Sequence, residues 1–153
     1  MLRIATMTSL AAYSVVASQP LAYIFFMTAA QRALSAPAYV ELRQRINPVM
    51  NRRVPAVYLV ALATVLLLLA LALAAGRWSL VATTTAALLC LVVDTAFMLR
   101  ENAPINGIMD RWSPSAPPAD WSDYREKWFA VYAYRQIAVL VGFLSLLVGA
   151  VYG

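Results

Sequence analysis

The sequence predicts an all-α membrane protein: a four-transmembrane-helix bundle with a cytoplasmic extension of the last helix. Three observations predict it. Of the 153 residues, 63% are hydrophobic and only 12% charged, too few charges to cover a soluble domain of this length. Four apolar stretches, at about 4–30, 55–75, 78–99 and 128–151, match the roughly 20 residues that cross a ~30 Å hydrocarbon core. The basic residues collect in two of the three connecting segments, as membrane orientation requires. A single four-helix domain over residues 1–153 follows.

Composition also excludes several chemistries. The net charge of +5 comes from 12 basic and 7 acidic residues, and eleven of the basic residues are arginine. At this hydrophobicity the excess speaks for orientation and anionic headgroups, with membrane lipid and not nucleic acid as the partner. There is no histidine, so imidazole acid–base chemistry and histidine-ligated haem, zinc or iron are absent. The lone Cys90 rules out an intrachain disulfide and reads as an inert buried thiol. No metal site and no cofactor are expected.

The first span, residues 4–30, carries Tyr13, Ser14, Ser18, Gln19 and Tyr23 and is the least oily of the four. A secretory signal is the rival reading, because Arg3 precedes an apolar run; the expectation is that the segment is retained. Gln19-Pro20 predicts a kink, since proline removes a backbone hydrogen bond. Residues 31–54 read as a polar connector containing a short interfacial helix in YVELRQRI, with Asn47-Pro48 and Val54-Pro55 as breaks. The second span, 55–75, is leucine-rich, and Gly76-Arg77 is a tight turn. The third, 78–99, holds Thr83-Thr84-Thr85, suited to back-bonding on helix carbonyls, and Asp94 near its end. Residues 100–120 read as a loop, with Asp120 the N-cap of the last helix and an Asp123–Lys127 pair in its first turns.

Nine Lys and Arg residues lie in the 31–54 and 100–127 segments, against Arg3 and Arg77 on the other side. The positive-inside rule puts both long connectors in the cytoplasm and both termini opposite.

The stretch WSDYREKWFAVYAYR contains the candidate site. Trp121, Arg125, Trp128, Tyr132 and Arg135 follow at spacings of 4, 3, 4 and 3, one stripe of a single helix. An aromatic belt with a snorkelling arginine accounts for the tryptophans but not for Arg135. Asp94 and Arg135 lie at matching depth, about 10 Å below the same interface at ~1.5 Å per residue, so an ion pair between them is expected. Such a pair either fixes helix register or floors a cytoplasm-facing pocket lined also by Tyr132, Gln19 and Tyr23. In the loop, Asn102 and Asn106 flank Pro104; their default role is to tie the backbone, and Asn106 is also placed to donate to a substrate carbonyl.

The run N-x-P-I-N, then Trp112, then D-W-x-x-x-R-x-x-W with an arginine seven residues on, resembles the anthrone oxygenase-like small membrane proteins. The resemblance is strongest over residues 94–135, and the four-span plan with Ile46-Asn47 in its first connector agrees. It implies Asn102, Pro104, Asn106, Trp121, Arg125, Trp128 and Arg135 as the recurrent positions. It also implies oxygen insertion into a tricyclic phenol without an established cofactor. This chain departs at Tyr132, where many relatives carry histidine.

Two functions follow. The first is a cofactor-independent oxygenase, or related enzyme, acting on a planar hydrophobic aromatic of the anthrone, phenol or quinone kind. Asp94 or Tyr132 would be the base, Arg135 and Asn106 the anion stabilisers, and Trp121 and Trp128 the stacking walls, with Arg125, Asn102, Gln19 and Tyr23 completing the site. The second is a non-catalytic membrane accessory subunit or lipid-binding protein, working as a homo-oligomer or beside a partner subunit, in which the ion pair is structural.

Overall fold

The computed structural model describes residues 1–153. Four helices, each long and apolar enough to cross a membrane, make up the protein: α1 (Leu2–Arg32), α2 (Ala36–Ala74), α3 (Trp78–Met109) and α4 (Trp121–Tyr152). The only β feature is an isolated bridge between Ser113 and Ala116. Each helix packs on its sequence neighbours, and α1 closes the ring against α4, so the bundle runs up-down-up-down.

One pattern builds all four contacts. The buried residues of α4 are Trp128, Tyr132, Arg135, Val139, Gly142, Leu146 and Gly149, with Phe129 beside the first. Their alternating spacing of 4 and 3 keeps a single seam facing inward, as in left-handed helix pairs. The same alternation runs through Ala61, Val65, Leu68 and Ala72 on α2, and through Leu80, Thr84, Ala87, Leu91 and Asp94 on α3. Small residues in these seams let the backbones approach, which packs helices where lipid leaves little hydrophobic drive between them. A Cβ at Gly142 would run into the Tyr13 ring and lie 2.9 Å from the Cys90 Cβ; the α1–α4–α3 junction needs a glycine there.

Two apolar clusters result. The larger fills the half of the bundle nearer the termini, around Tyr13, Val65, Leu68, Val139 and Leu146. The smaller is aromatic and lies at the connector end, with Tyr23, Tyr39, Ile105, Met109, Trp128, Phe129 and Tyr132. Between them sits a polar layer.

The α2–α3 turn forms as expected. Gly76 has φ 64°, Gly76 N–H donates to Leu73 O, and Arg77 N–H donates to Ala72 O at 3.0 Å. These are the two bonds of a Schellman ending, which requires a left-handed residue at that place.

Several local expectations are corrected. Residues 31–54 do not form a connector with a short helix. The chain breaks only at residues 33–35, and α2 then runs 39 residues through both Pro48 and Pro55. Proline removes one donor and bends a helix without necessarily ending it. Here Asn47 Nδ2 donates to Asp110 Oδ1 (2.6 Å) and Gln44 Nε2 to Trp112 O (2.7 Å), so the polar half of α2 is held from outside. At Gln19-Pro20 the α-helix runs on to Ala22, and a π-helical turn follows at Tyr23–Met27.

Likewise residues 100–109 are helix and not loop: α3 continues through a π turn at Met98–Asn102 into Ala103–Met109, with Pro104 in the first turn of that last stretch. Asp120 precedes α4, but its side chain makes no capping bond. Asp123 and Lys127 do not pair. In the threonine run, Thr83 back-bonds to Ser79 O and Leu80 O, whereas the buried Thr84 hydroxyl has no partner. Cys90 is only half-buried.

Candidate functional site

The polar layer is centred on Asp94 and Arg135. Arg135 Nε donates to Asp94 Oδ1 at 2.8 Å, and the two side chains are 8% and 1% exposed. The expected pair therefore exists in a dry setting, where stranding either charge costs on the order of 3–5 kcal/mol. Side chains from two helices complete it. From α2, Tyr58 Oη donates to Asp94 Oδ2. From the π turn of α3, Asn102 Oδ1 accepts from Arg135 Nη1 (3.2 Å), while Asn102 Nδ2 donates to Trp128 O (3.2 Å). Both carboxylate oxygens of Asp94 are thus engaged.

Above this layer, toward the connectors, lies a stack of rings and guanidinium groups. Trp128 stacks on Tyr132 (centroids 4.8 Å apart, planes 20°), and Tyr23 packs edge-on against Tyr132 (4.7 Å). The Arg43 guanidinium lies 4.4 Å over the Trp128 ring, and its Nη2 donates to Asn106 Oδ1 at 2.5 Å. Tyr23 and Asn102 both belong to π turns. Such turns rotate side chains out of α register and recur at functional sites.

A cavity of about 860 Å³ runs beside these groups, within the size range of small-molecule sites. Its inner wall includes Arg43, Asn106, Trp128, Tyr132, Arg135 and Tyr58; Gln19 and Tyr23 also line it, and most of the remaining wall is apolar. Three of the residues on this wall carry buried polar atoms with no partner: Arg43 Nε, Trp128 Nε1 and Tyr132 Oη. Each unpaired group costs about 1–3 kcal/mol. All three can donate.

The expected site residues divide accordingly. Gln19, Tyr23, Asn106, Trp128, Tyr132 and Arg135 line the cavity. Asp94 and Asn102 stand behind its wall and hold Arg135 from there. Trp121 and Arg125 are outside it: the Arg125 guanidinium covers Trp121 (4.7 Å), and Trp121 packs on Tyr39 (5.8 Å). Arg125 also donates to Glu126 and to Arg32 O. These two close the connector end of the bundle. The stripe is one face of α4, as its spacing requires, but it outruns the cavity by two turns. Asn106 lies on a helix and not in a loop, and its Oδ1 accepts from Arg43 instead of tying the backbone.

Arg43 and Tyr58 were not among the expected site residues. Reading Pro48 and Pro55 as breaks hid them. Taken as one helix, Arg43, Asn47, Asn51, Val54 and Tyr58 follow at spacings of 4, 4, 3 and 4, in phase with the buried Ala61, Val65, Leu68 and Ala72. Nowhere do three His, Cys, Asp or Glu side chains converge as a metal site would need.

No family model, no curated protein and no solved structure matches this chain.

Proposed function

We propose that this protein binds a planar hydrophobic aromatic bearing phenol or keto oxygens in the cavity, and that the bound molecule is oxidised there by molecular oxygen. The observation that carries the binding reading is the set of unpaired donors among the wall residues. Arg43 Nε, Trp128 Nε1 and Tyr132 Oη lack protein partners, and a ligand oxygen is the complementary group. The stacked Trp128 and Tyr132 rings suit a flat partner. The resemblance of the 94–135 segment to the anthrone oxygenase-like proteins supports the same class of ligand.

The chemistry balances as R₂CH₂ + O₂ → R₂C=O + H₂O. A proton leaves the methylene flanked by two aromatic rings, and the resulting phenolate-like anion passes an electron to oxygen. The radical pair joins as a peroxide on that carbon, and loss of water leaves the carbonyl. Asp94 has no face on the cavity, so the proton route runs through Tyr58, which lines it and donates to Asp94: Tyr58 takes the ligand's proton as it releases its own. Arg43 and Arg135 hold the anion. By the positive-inside count, the Arg43–Trp128 end lies toward the cytoplasm.

The test is binding of a dihydroxyanthrone to the protein in lipid nanodiscs, together with oxygen uptake above that of empty discs. Saturable binding and one oxygen consumed per carbonyl formed support the full reading. Binding without uptake leaves a carrier, and the absence of both binding and uptake favours the second reading, a non-catalytic accessory subunit. One observation supports that alternative: a carboxylate with both oxygens engaged is what a structural lock looks like. Recovery of a stable partner subunit in mild detergent would bring it forward.

A further inference from the structure

The cavity has one closed end and one open side. At the connector end, Arg43 is bonded to Asn106 and lies over Trp128, and Asn47 is tied to Asp110 at 2.6 Å. Tyr39, beyond them, is wholly buried. This end is sealed by side chains from three helices. Along the side, the lining passes from polar to apolar: Leu59 on α2 and Val92 and Leu99 on α3 are 65%, 54% and 60% exposed. These three belong to the wall of the cavity and to the outer surface of helices apolar enough to cross a membrane. The gap between α2 and α3 therefore opens where lipid chains would lie.

The wall is long. Nineteen residues of α2 separate Arg43 from Leu62, both on the wall, about 28 Å at ~1.5 Å per residue. Spread over that length, 860 Å³ corresponds to a mean cross-section of about 30 Å². A fused aromatic system alone leaves most of such a channel empty, whereas a flat head followed by one hydrocarbon chain fills it.

Resting on the binding reading above, we infer that the ligand is a membrane-dissolved amphiphile. Its oxygen-bearing aromatic head lies against Arg43, Trp128 and Tyr132. Its single hydrocarbon tail runs past Leu62 and Leu91 and leaves through the α2–α3 gap. Loading is lateral, from the bilayer. Tail burial adds little affinity here, because lipid is as apolar as the channel; what the gap provides is a route.

The experiment uses the full chain in liposomes and a hydroxynaphthoquinone whose ten-carbon chain carries a photoreactive diazirine near its end. After irradiation, adducts are mapped by mass spectrometry, with and without excess tail-less hydroxynaphthoquinone. Competed adducts are expected on Leu59, Leu62, Leu91 or Val92. They should fall about tenfold in Leu59→Trp/Val92→Trp, whose substitutions sit at exposed positions and should leave the melting temperature unchanged. Competed adducts on Arg43, Ile46 or Asn106 would place the tail at the sealed end and overturn the inference. Competed adducts undiminished in the double variant would overturn the lateral route. If the tail-less probe binds but no competed adduct forms, the inference alone fails; if the tail-less probe does not bind either, the binding reading fails with it.

Discussion

Arg135 shows what a charge inside an apolar bundle requires. Its guanidinium meets Asp94 through Nε and Asn102 through Nη1, and Tyr58 takes the other carboxylate oxygen. Asp94→Asn keeps the shape and removes the charge, and it should cost on the order of 3–5 kcal/mol in a detergent melt. An unchanged melting temperature would mean the pair is not dry. Tyr58→Phe loses a hydrogen bond to a charged group and should cost about 1.5–3 kcal/mol. Of this network the sequence showed Asp94 and Arg135 by depth, because an unpaired charge in a span demands a partner. It did not show Arg43 or Tyr58, because an arginine in a segment read as connector and a tyrosine in a leucine-rich span carry no such demand.

At the scale of whole elements, the seven-residue seam of α4 was visible in the sequence from Trp121 to Arg135 and continues through Gly149. Gly142 sits where α1, α3 and α4 meet. Gly142→Ala must push the Tyr13 ring aside and should cost about 1–3 kcal/mol, read as a lower melting temperature; a neutral result would mean the junction is looser than drawn. The helix ends were the least legible feature. Prolines at 48, 55 and 104 look like punctuation in a sequence, yet all three lie in helix. What decides is the neighbourhood: π turns lie next to Pro20 and Pro104, and the 110–112 turn holds α2 through Gln44 and Asn47. Such compensation is long-range, and no local pattern reports it. Pro48, exposed on α2, should therefore tolerate alanine and raise the melting temperature, since proline costs helix interiors about 3 kcal/mol; a fall would show that the bend it makes is needed.

For the whole molecule, composition and the four apolar stretches were enough to reach four helices, because lipid leaves few other solutions to a chain this apolar. The arginine count predicts its orientation: in a Cys90→Ala background, a cysteine at Ser115 and another at Gly153 should be labelled from opposite sides of the membrane. Labelling from one side would contradict the crossing of α4. The account as a whole rests on the wall of the cavity being built for a ligand and not for the fold. Tyr132 separates the two most directly, because its hydroxyl is buried and bonds to nothing in the protein. The decisive measurement is dihydroxyanthrone affinity and melting temperature for Tyr132→Phe in lipid nanodiscs. A hydroxyl kept for a ligand predicts that affinity falls about tenfold while the melting temperature holds or rises, since an unpaired buried polar group has been removed. Unchanged affinity, or a loss of stability with binding intact, would contradict it.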